Sequence, residues 1–170
     1  MPDTNLAKSL LTTAKSLTKN NPSQAKLRRA VSTAYYAVFH ALARTCADEL
    51  VGRQRAKRSN KAWVEVYRGL SHGPCKNSCK GAHKINFPPE IKNFADTFVQ
   101  LQEAREQADY DPTYKLTLKG TLVHILLAEV AINSLKTVPS VDKTAFAAWV
   151  LITTHGATQA RKQAKAANEA

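Results

Sequence analysis

The chain has little of what marks a secreted or membrane protein. It has three cysteines, Cys46, Cys75 and Cys79, and so odd and small a number argues against a disulfide framework. The N-terminus carries Asp3 early and no long apolar run, so we expect no signal peptide. The longest uncharged stretch, 145–160, holds Thr, His, Gly and Gln, and we expect no membrane span. A cytoplasmic protein without membrane contacts is the resulting expectation.

Acidic residues are also scarce, with 13 Asp and Glu against 25 Lys and Arg, for a net charge of +12. Such a balance suits an acidic partner such as RNA, DNA or an anionic surface. The asymmetry peaks between residues 53 and 84, where Glu65 is the only acid. The start of this run, 53–61, is either a nucleic-acid contact through Arg55 and Arg58 or a solvated linker.

Strand-like alternation is missing throughout, whereas apolar residues recur at helical spacing. The 170 residues, 44% of them hydrophobic, are enough for one domain with a core. We predict an all-α, antiparallel helical bundle of about five to six helices over 1–155, with a solvated helix end or tail over 156–170. The predicted helices are Thr4–Lys19, Ser23–Val51, Lys61–Leu70, Pro89–Ala108, Thr117–Lys136 and Asp142–Ala167, the last with a kink at Gly156.

Two of these helices have informative faces. Thr117–Lys136 is apolar nearly all round, so we predict that it is the central, most buried helix. On the second helix Tyr35 falls on the core stripe, whereas Tyr36, His40 and Arg44 follow one another at four-residue steps on another face. That second face is a candidate binding surface.

The stretch from His72 to His83 contains the residue types of a tetrahedral zinc site: His72, Cys75, Cys79 and His83. The alternative is a Lys-rich loop with two ordinary cysteines, after Gly73-Pro74 ends the third helix. A helix from Cys75 to His83 would be about 12 Å long, so one ion could not touch both ends. We therefore expect no metal and no other cofactor.

A further set of candidate residues lies at the end of the fourth helix. The core stripe of this helix, Ile91, Phe94, Phe98 and Leu101, continues onto Arg105. Arg105 could bind a phosphate while Tyr110 stacks on a base. It could instead form a structural pair with Asp109 or Glu129, with Tyr110 fixing the next loop, because a buried arginine needs a partner. The structural interpretation is favoured.

Three segments resemble the HEPN superfamily of small helical bundles. They are LRRAVSTAYYAVFHAL (27–42), VYRGLSHG (66–73) and AREQADYDP (104–112), and together the resemblance spans roughly 23–136. It implies an all-α bundle that commonly forms a homodimer. Many HEPN proteins are metal-independent RNases with an Arg-x4–6-His motif at the dimer interface, often toxins or defence effectors. Others bind nucleotides or proteins.

The nearest match to that motif is Arg68 and His72, with three residues between them instead of four to six. On one helix this spacing places both on one face, with His72 as general acid or base and Arg68 stabilising the phosphorane. Because the spacing departs from the family, we favour a module that binds nucleic acid or a nucleotide over an Arg68/His72 endoribonuclease. The resemblance implies a toxin–antitoxin or defence context, with an antitoxin or a nucleotidyltransferase as a partner. The candidate binding residues are Tyr36, His40, Arg44, Arg55, Arg58, Arg105, Asp109 and Tyr110.

Overall fold

The computed structural model describes residues 5–152 together with 162, 163 and 166. Within these residues it has seven α-helices, two short 3-10 turns (Arg55–Lys57 and Ala82–Lys84) and no strand, which confirms the all-α bundle. The helix beyond the predicted five or six is α4. The helices are α1 Leu6–Leu17, α2 Gln24–Leu50, α3 Asn60–Arg68, α4 His72–Gly81, α5 Pro89–Tyr110, α6 Leu118–Thr137 and α7 Ser140–Leu151.

Helix α2 is the centre of the bundle and packs against α1, α3, α5, α6 and α7. Ser23 caps its first turn by accepting a hydrogen bond from the Lys26 amide. Its core stripe, which includes Tyr35, Val38 and Leu42, is fully buried. The aromatic residues of the predicted α5 stripe pack around it: the Phe98 ring meets Tyr35 edge-on at a centroid distance of 5.6 Å. The prediction that this stripe continues onto Arg105 is confirmed, since Arg105 is buried.

Helix α6 is not the central helix, contrary to the prediction. Only one stripe of it, including Ile125, Ala128 and Ile132, faces the core. The opposite side is exposed, because α6 lies at the periphery of the bundle. The prediction failed because a helix that is apolar on nearly every side has no polar face to indicate which side is exposed. The exposed apolar residues are Leu118, Leu122, Val123, Leu126 and Val130, each between 43% and 57% exposed.

By length and composition, α6 is also the one helix in the described part of the chain that could cross a membrane. A single such helix is weak evidence, because a core helix of a soluble protein passes the same test. The mean hydropathy of α6 over the tested window is 1.3, and the expectation that the chain has no membrane span stays a prediction.

The segment after α3 differs most from its prediction. Helix α3 ends at Arg68, and a new helix, α4, begins at His72 with Ser71 as its N-cap. Gly73-Pro74 therefore does not end a helix; Pro74 lies in the first turn of α4, where an amide hydrogen is not needed. Cys75 and Cys79 are accordingly buried in a helix and do not belong to a basic loop.

The two ends of the chain leave some predictions open. Asp3 and Thr4, the predicted start of the first helix, lie outside the described residues, and α1 begins at Leu6. The predicted kink at Gly156 and most of the predicted tail lie outside them as well.

Candidate functional site

His72, the first residue of α4, packs against three aromatic rings of α2. Its Nδ1 atom lies 2.6 Å from the Tyr35 hydroxyl. Its ring centroid lies 4.3 Å from that of Phe39 and 5.9 Å from that of Tyr36. His72 thus connects the start of α4 to the central helix.

Arg105 reaches the same rings from α5. Its Cζ atom lies 5.2 Å from the ring centroid of Tyr35 and 5.8 Å from that of Tyr36, within cation–π range. Three helices therefore converge on two tyrosines. We call this set the Tyr35 cluster: Tyr35, Tyr36, Phe39, His72, Arg105 and Asp109.

The partners of Arg105 are fewer than a buried arginine normally has. The residue is 8% exposed, and Asp109 Oδ2 lies 3.8 Å from its Nη1 atom, too far for a hydrogen bond. Its Nε atom has no hydrogen-bond partner among the described residues. The predicted pair with Glu129 does not form, because that carboxylate binds Lys15 at 2.8 Å. Of the two structural partners considered, only Asp109 is present, and the contact is long.

The protonation states of the cluster follow from its burial. Burial raises the pKa of Tyr35 well above its ordinary value, although the charge of Arg105 opposes this. Burial, helped by the same charge, lowers the pKa of His72 below 6.5. At neutral pH both groups are uncharged. The Tyr35 hydroxyl is buried and has no other acceptor among the described residues, so we assign it as the donor to Nδ1. This assignment places the hydrogen of the neutral His72 ring on Nε2.

Arg68 is not part of this cluster. It is the last residue of α3 and exposed, and it forms no hydrogen bond or ion pair with His72. The expectation that both lie on one face of a single helix is wrong, because the chain leaves the helix at Gly69 and starts a new one at His72. The arginine that the fold brings to His72 is Arg105.

The predicted stripe of Tyr36, His40 and Arg44 divides between two places. Tyr36 belongs to the Tyr35 cluster. His40 Nδ1 lies 2.7 Å from the Tyr67 hydroxyl, and Arg44 Nε lies 3.3 Å from Asp48.

His40 and Arg44 instead line a cleft of about 640 Å³ between α1, α2, α3 and α6. Its size is that of a small-molecule site, but His72 and Arg105 are not among its lining residues. Burial lowers the pKa of His40, and His72, when it is protonated, adds to the effect by repulsion, so the cleft and the Tyr35 cluster are electrostatic neighbours.

The two basic candidates of the connector have different surroundings. Arg58 packs over the Trp63 ring, with Cζ 4.4 Å from the centroid, and donates to the Gly52 carbonyl at 2.9 Å. Its side chain is 8% exposed, so its role is structural. Arg55 lies exposed in a 3-10 turn. Of the pair, Arg55 is the one whose charge faces solvent.

The four side chains that resemble a zinc site in the sequence have separate neighbours. His72 binds Tyr35, and His83 Nε2 lies 2.6 Å from Asp96 Oδ1. Burial raises the pKa of the Cys75 thiol to about 11 and that of Cys79 still higher, so both remain protonated. Across the described residues, no group of three or more His, Cys, Asp or Glu side chains is placed to hold an ion.

Arg28 organises the end of α5, and the sequence interpretation missed it. Its guanidinium donates to the carbonyls of Ala108 at 3.0 Å and Asp111 at 2.7 Å, and also to that of Tyr114. Tyr110, proposed to fix this loop, is 76% exposed. One general feature could have suggested such a residue. The last carbonyl groups of the predicted fourth helix have no donors within the helix, and such groups attract cationic side chains.

The chain matches no family model, no curated protein and no solved structure. A function therefore has to come from its own residues. What the Tyr35 cluster offers chemically is a buried positive charge with unused donor capacity, beside the Nε2–H donor of a neutral histidine. Such groups recognise oxyanions.

Proposed function

We propose that the chain is a HEPN-like binding module whose Tyr35 cluster takes a phosphate-bearing ligand, either nucleic acid or a nucleotide. The observation that carries the proposal is the buried Arg105 with an unpartnered Nε atom beside a neutral His72. Buried guanidinium groups normally have most of their donors satisfied. A phosphate oxygen supplies the acceptor that Arg105 lacks.

The charge distribution supports the same class of ligand. The chain carries a net charge of +12. Besides Arg53, which pairs with Glu49, four basic side chains on and before α3 are exposed: Arg55, Lys57, Lys61 and Arg68. They attract a polyanion through phosphate contacts that carry no sequence information. In this proposal Arg68 keeps a role, as a contact on the basic surface and not as a partner of His72.

The second candidate function is a metal-independent endoribonuclease in which Arg105 replaces Arg68 as the partner of His72. This function is favoured by the contacts that Arg105 and His72 both make with the rings of Tyr35 and Tyr36. A general base, however, must present an unprotonated ring nitrogen to the 2′-hydroxyl. Tyr35 already occupies Nδ1 and leaves the hydrogen on Nε2, so His72 is set up as a donor. Binding therefore ranks first.

We also propose a cytoplasmic homodimer in a toxin–antitoxin or defence context, as the HEPN resemblance implies. The exposed apolar face of α6 supports an interface with a second copy, since monomers rarely expose a contiguous row of leucines and valines. Light scattering of the pure chain is the direct test. A monomer at micromolar concentration would remove the dimer from the proposal.

The test of binding is a salt titration of the affinity for a fluorescent single-stranded RNA. Affinity should fall as salt rises, with a log–log slope of about −0.7 for each phosphate contacted. Arg105→Met should weaken binding more strongly than Arg68→Met, although both remove one positive charge. A log–log slope near zero would exclude phosphate contacts and contradict the proposal.

The same preparations separate binding from catalysis. RNA is incubated with the chain in excess chelator, with His72→Ala and Arg68→Ala beside the unaltered chain. Cleavage that survives chelation and is lost only in His72→Ala would favour the nuclease. Intact RNA in the presence of measurable binding is the expected result.

A further inference from the structure

The first turn of α4 has amide donors without acceptors. Ser71 occupies the N-cap position, but its side chain makes no capping hydrogen bond. The first hydrogen bond of the helix runs from the Cys75 amide to the Ser71 carbonyl, at 3.0 Å. Pro74 has no amide hydrogen, and those of His72 and Gly73 find no acceptor among the described residues. The turn is therefore an open, partly positive helix end.

A second and independent observation lies on the adjoining helix. The Arg105 side chain is 9% exposed and its Nε atom has no partner among the described residues. Asp109 approaches it from the Nη1 side, and the guanidinium also interacts with the Tyr35 hydroxyl, so Nε is the donor that remains without a partner. A guanidinium N–H of this kind binds an oxygen of an oxyanion. Arg105 and His72 both lie on the Tyr35 and Tyr36 rings, which places the buried charge near the first residue of α4.

We infer that the first turn of α4 and the guanidinium of Arg105 together bind a single phosphate group. The inference rests on the proposed function and names the group that the Tyr35 cluster recognises. The backbone amides of His72 and Gly73 donate to one side of the phosphate, as at other helix N-termini. Arg105 supplies the opposing charge, and the Nε2–H of His72 is a further donor at the rim.

Gly73 keeps the approach to this turn open. A Cβ atom built at Gly73 would meet nothing within 4 Å, and its backbone is not in the left-handed region. A larger side chain is therefore accommodated without strain, and it stands where the phosphate arrives. This position allows the site to be blocked without disturbing the core.

The experiment compares Gly73→Glu with Gly73→Gln, which have nearly the same size and differ in charge. A carboxylate in the first turn favours the helix, as does the loss of glycine, so both variants should fold and melt no lower than the unaltered chain. In Gly73→Glu the carboxylate repels the phosphate and competes for its donors. We expect at least tenfold weaker phosphate binding in Gly73→Glu than in Gly73→Gln.

Three probes distinguish the source of the phosphate: inorganic phosphate, a nucleoside 5′-monophosphate and a dinucleoside phosphodiester, each titrated by calorimetry or by NMR. Binding of the first two but not of the diester assigns the site to phosphate ends. Binding of the diester assigns it to the backbone of a strand. In either case the affinity must depend on the charge at position 73.

Two outcomes overturn the inference, and they are distinguishable. In the first, the unaltered chain binds RNA with the expected salt dependence, but Gly73→Glu and Gly73→Gln bind the RNA and the small probes with equal affinity. The phosphate then does not bind at the first turn of α4. The proposed function then survives without this site. If neither RNA nor any probe binds the unaltered chain, the inference and the proposed function fail together.

Discussion

Replacing Arg105 by methionine separates a ligand-binding role of this residue from a structural one. Methionine has a similar length and fills the same space without charge. If Arg105 is a structural ion-pair residue, its loss leaves Asp109 unpaired and destabilises the fold. If it is held for a ligand, its removal relieves a buried charge that the fold leaves partly unsatisfied.

The magnitude follows from the contacts of Arg105. The variant loses cation–π contacts with Tyr35 and Tyr36, each contributing about 0.5–2 kcal/mol. It also loses the contact with Asp109 at 3.8 Å, which is worth at most about 1 kcal/mol because that carboxylate is partly exposed. Against this, replacing both members of a buried ion pair by apolar side chains is commonly neutral or stabilising by about 1–4 kcal/mol. Here Asp109 remains, partly exposed and hydrogen-bonded to Ser32, so the gain is at the lower end of that range.

These opposing contributions nearly cancel, so we expect the free energy of unfolding of Arg105→Met to change by no more than about 2 kcal/mol in either direction. For a chain of this length that corresponds to a shift in Tm of at most roughly 4–8 °C. The assay is urea denaturation followed by circular dichroism, with thermal melting as the second measurement. Leu101→Ala, one turn earlier in the same buried stripe, is the matched control and should lose about 2–5 kcal/mol.

A loss of more than about 2 kcal/mol in Arg105→Met would refute this reasoning. It would show that Arg105 holds the bundle together through its contacts with Asp109 and the two tyrosines. The unpartnered Nε atom would then be a tolerated defect, and the main support for a ligand at the Tyr35 cluster would be gone.

Two further predictions concern Arg28 and the histidines. Arg28→Met should lower the free energy of unfolding by about 2–4 kcal/mol, because charged hydrogen bonds to several carbonyl groups at the end of α5 are lost. The control is Arg29→Met, at an exposed neighbouring residue, which should change the free energy of unfolding by less than about 0.5 kcal/mol. Stability should also fall between pH 7.5 and pH 5.5. The pKa values of His40 and His72 are lowered in the folded chain, so the unfolded chain binds more protons below about pH 6.5 and is favoured there. Thermal melting of a His40→Gln, His72→Gln double variant should show a flatter pH dependence over this window, and an unchanged slope would contradict the assignment. The lowered pKa values of Glu49 and Asp111 act in the same direction, but below about pH 4.5, outside this window.

The positions of most helices, although not of α4, follow from the amino-acid sequence alone. The predicted helix Ser23–Val51 is Gln24–Leu50 in the structure, and Thr117–Lys136 is Leu118–Thr137. Caps, prolines and a periodicity of 3.6 residues are local properties, so they can be read along one segment at a time. The same holds for the buried stripe of α5, including its end on Arg105.

Which segments meet was decided only by the tertiary structure. His72 and Arg68 are four residues apart and formed the catalytic pair of the alternative function, but a helix ends between them. His72 and Arg105 are far apart in sequence and share two tyrosine rings. Periodicity assigns a residue to a face of its own helix but says nothing about the helix opposite. For α6, apolar on every side, it could not even say which face is buried, because that depends on where the helix packs in the bundle.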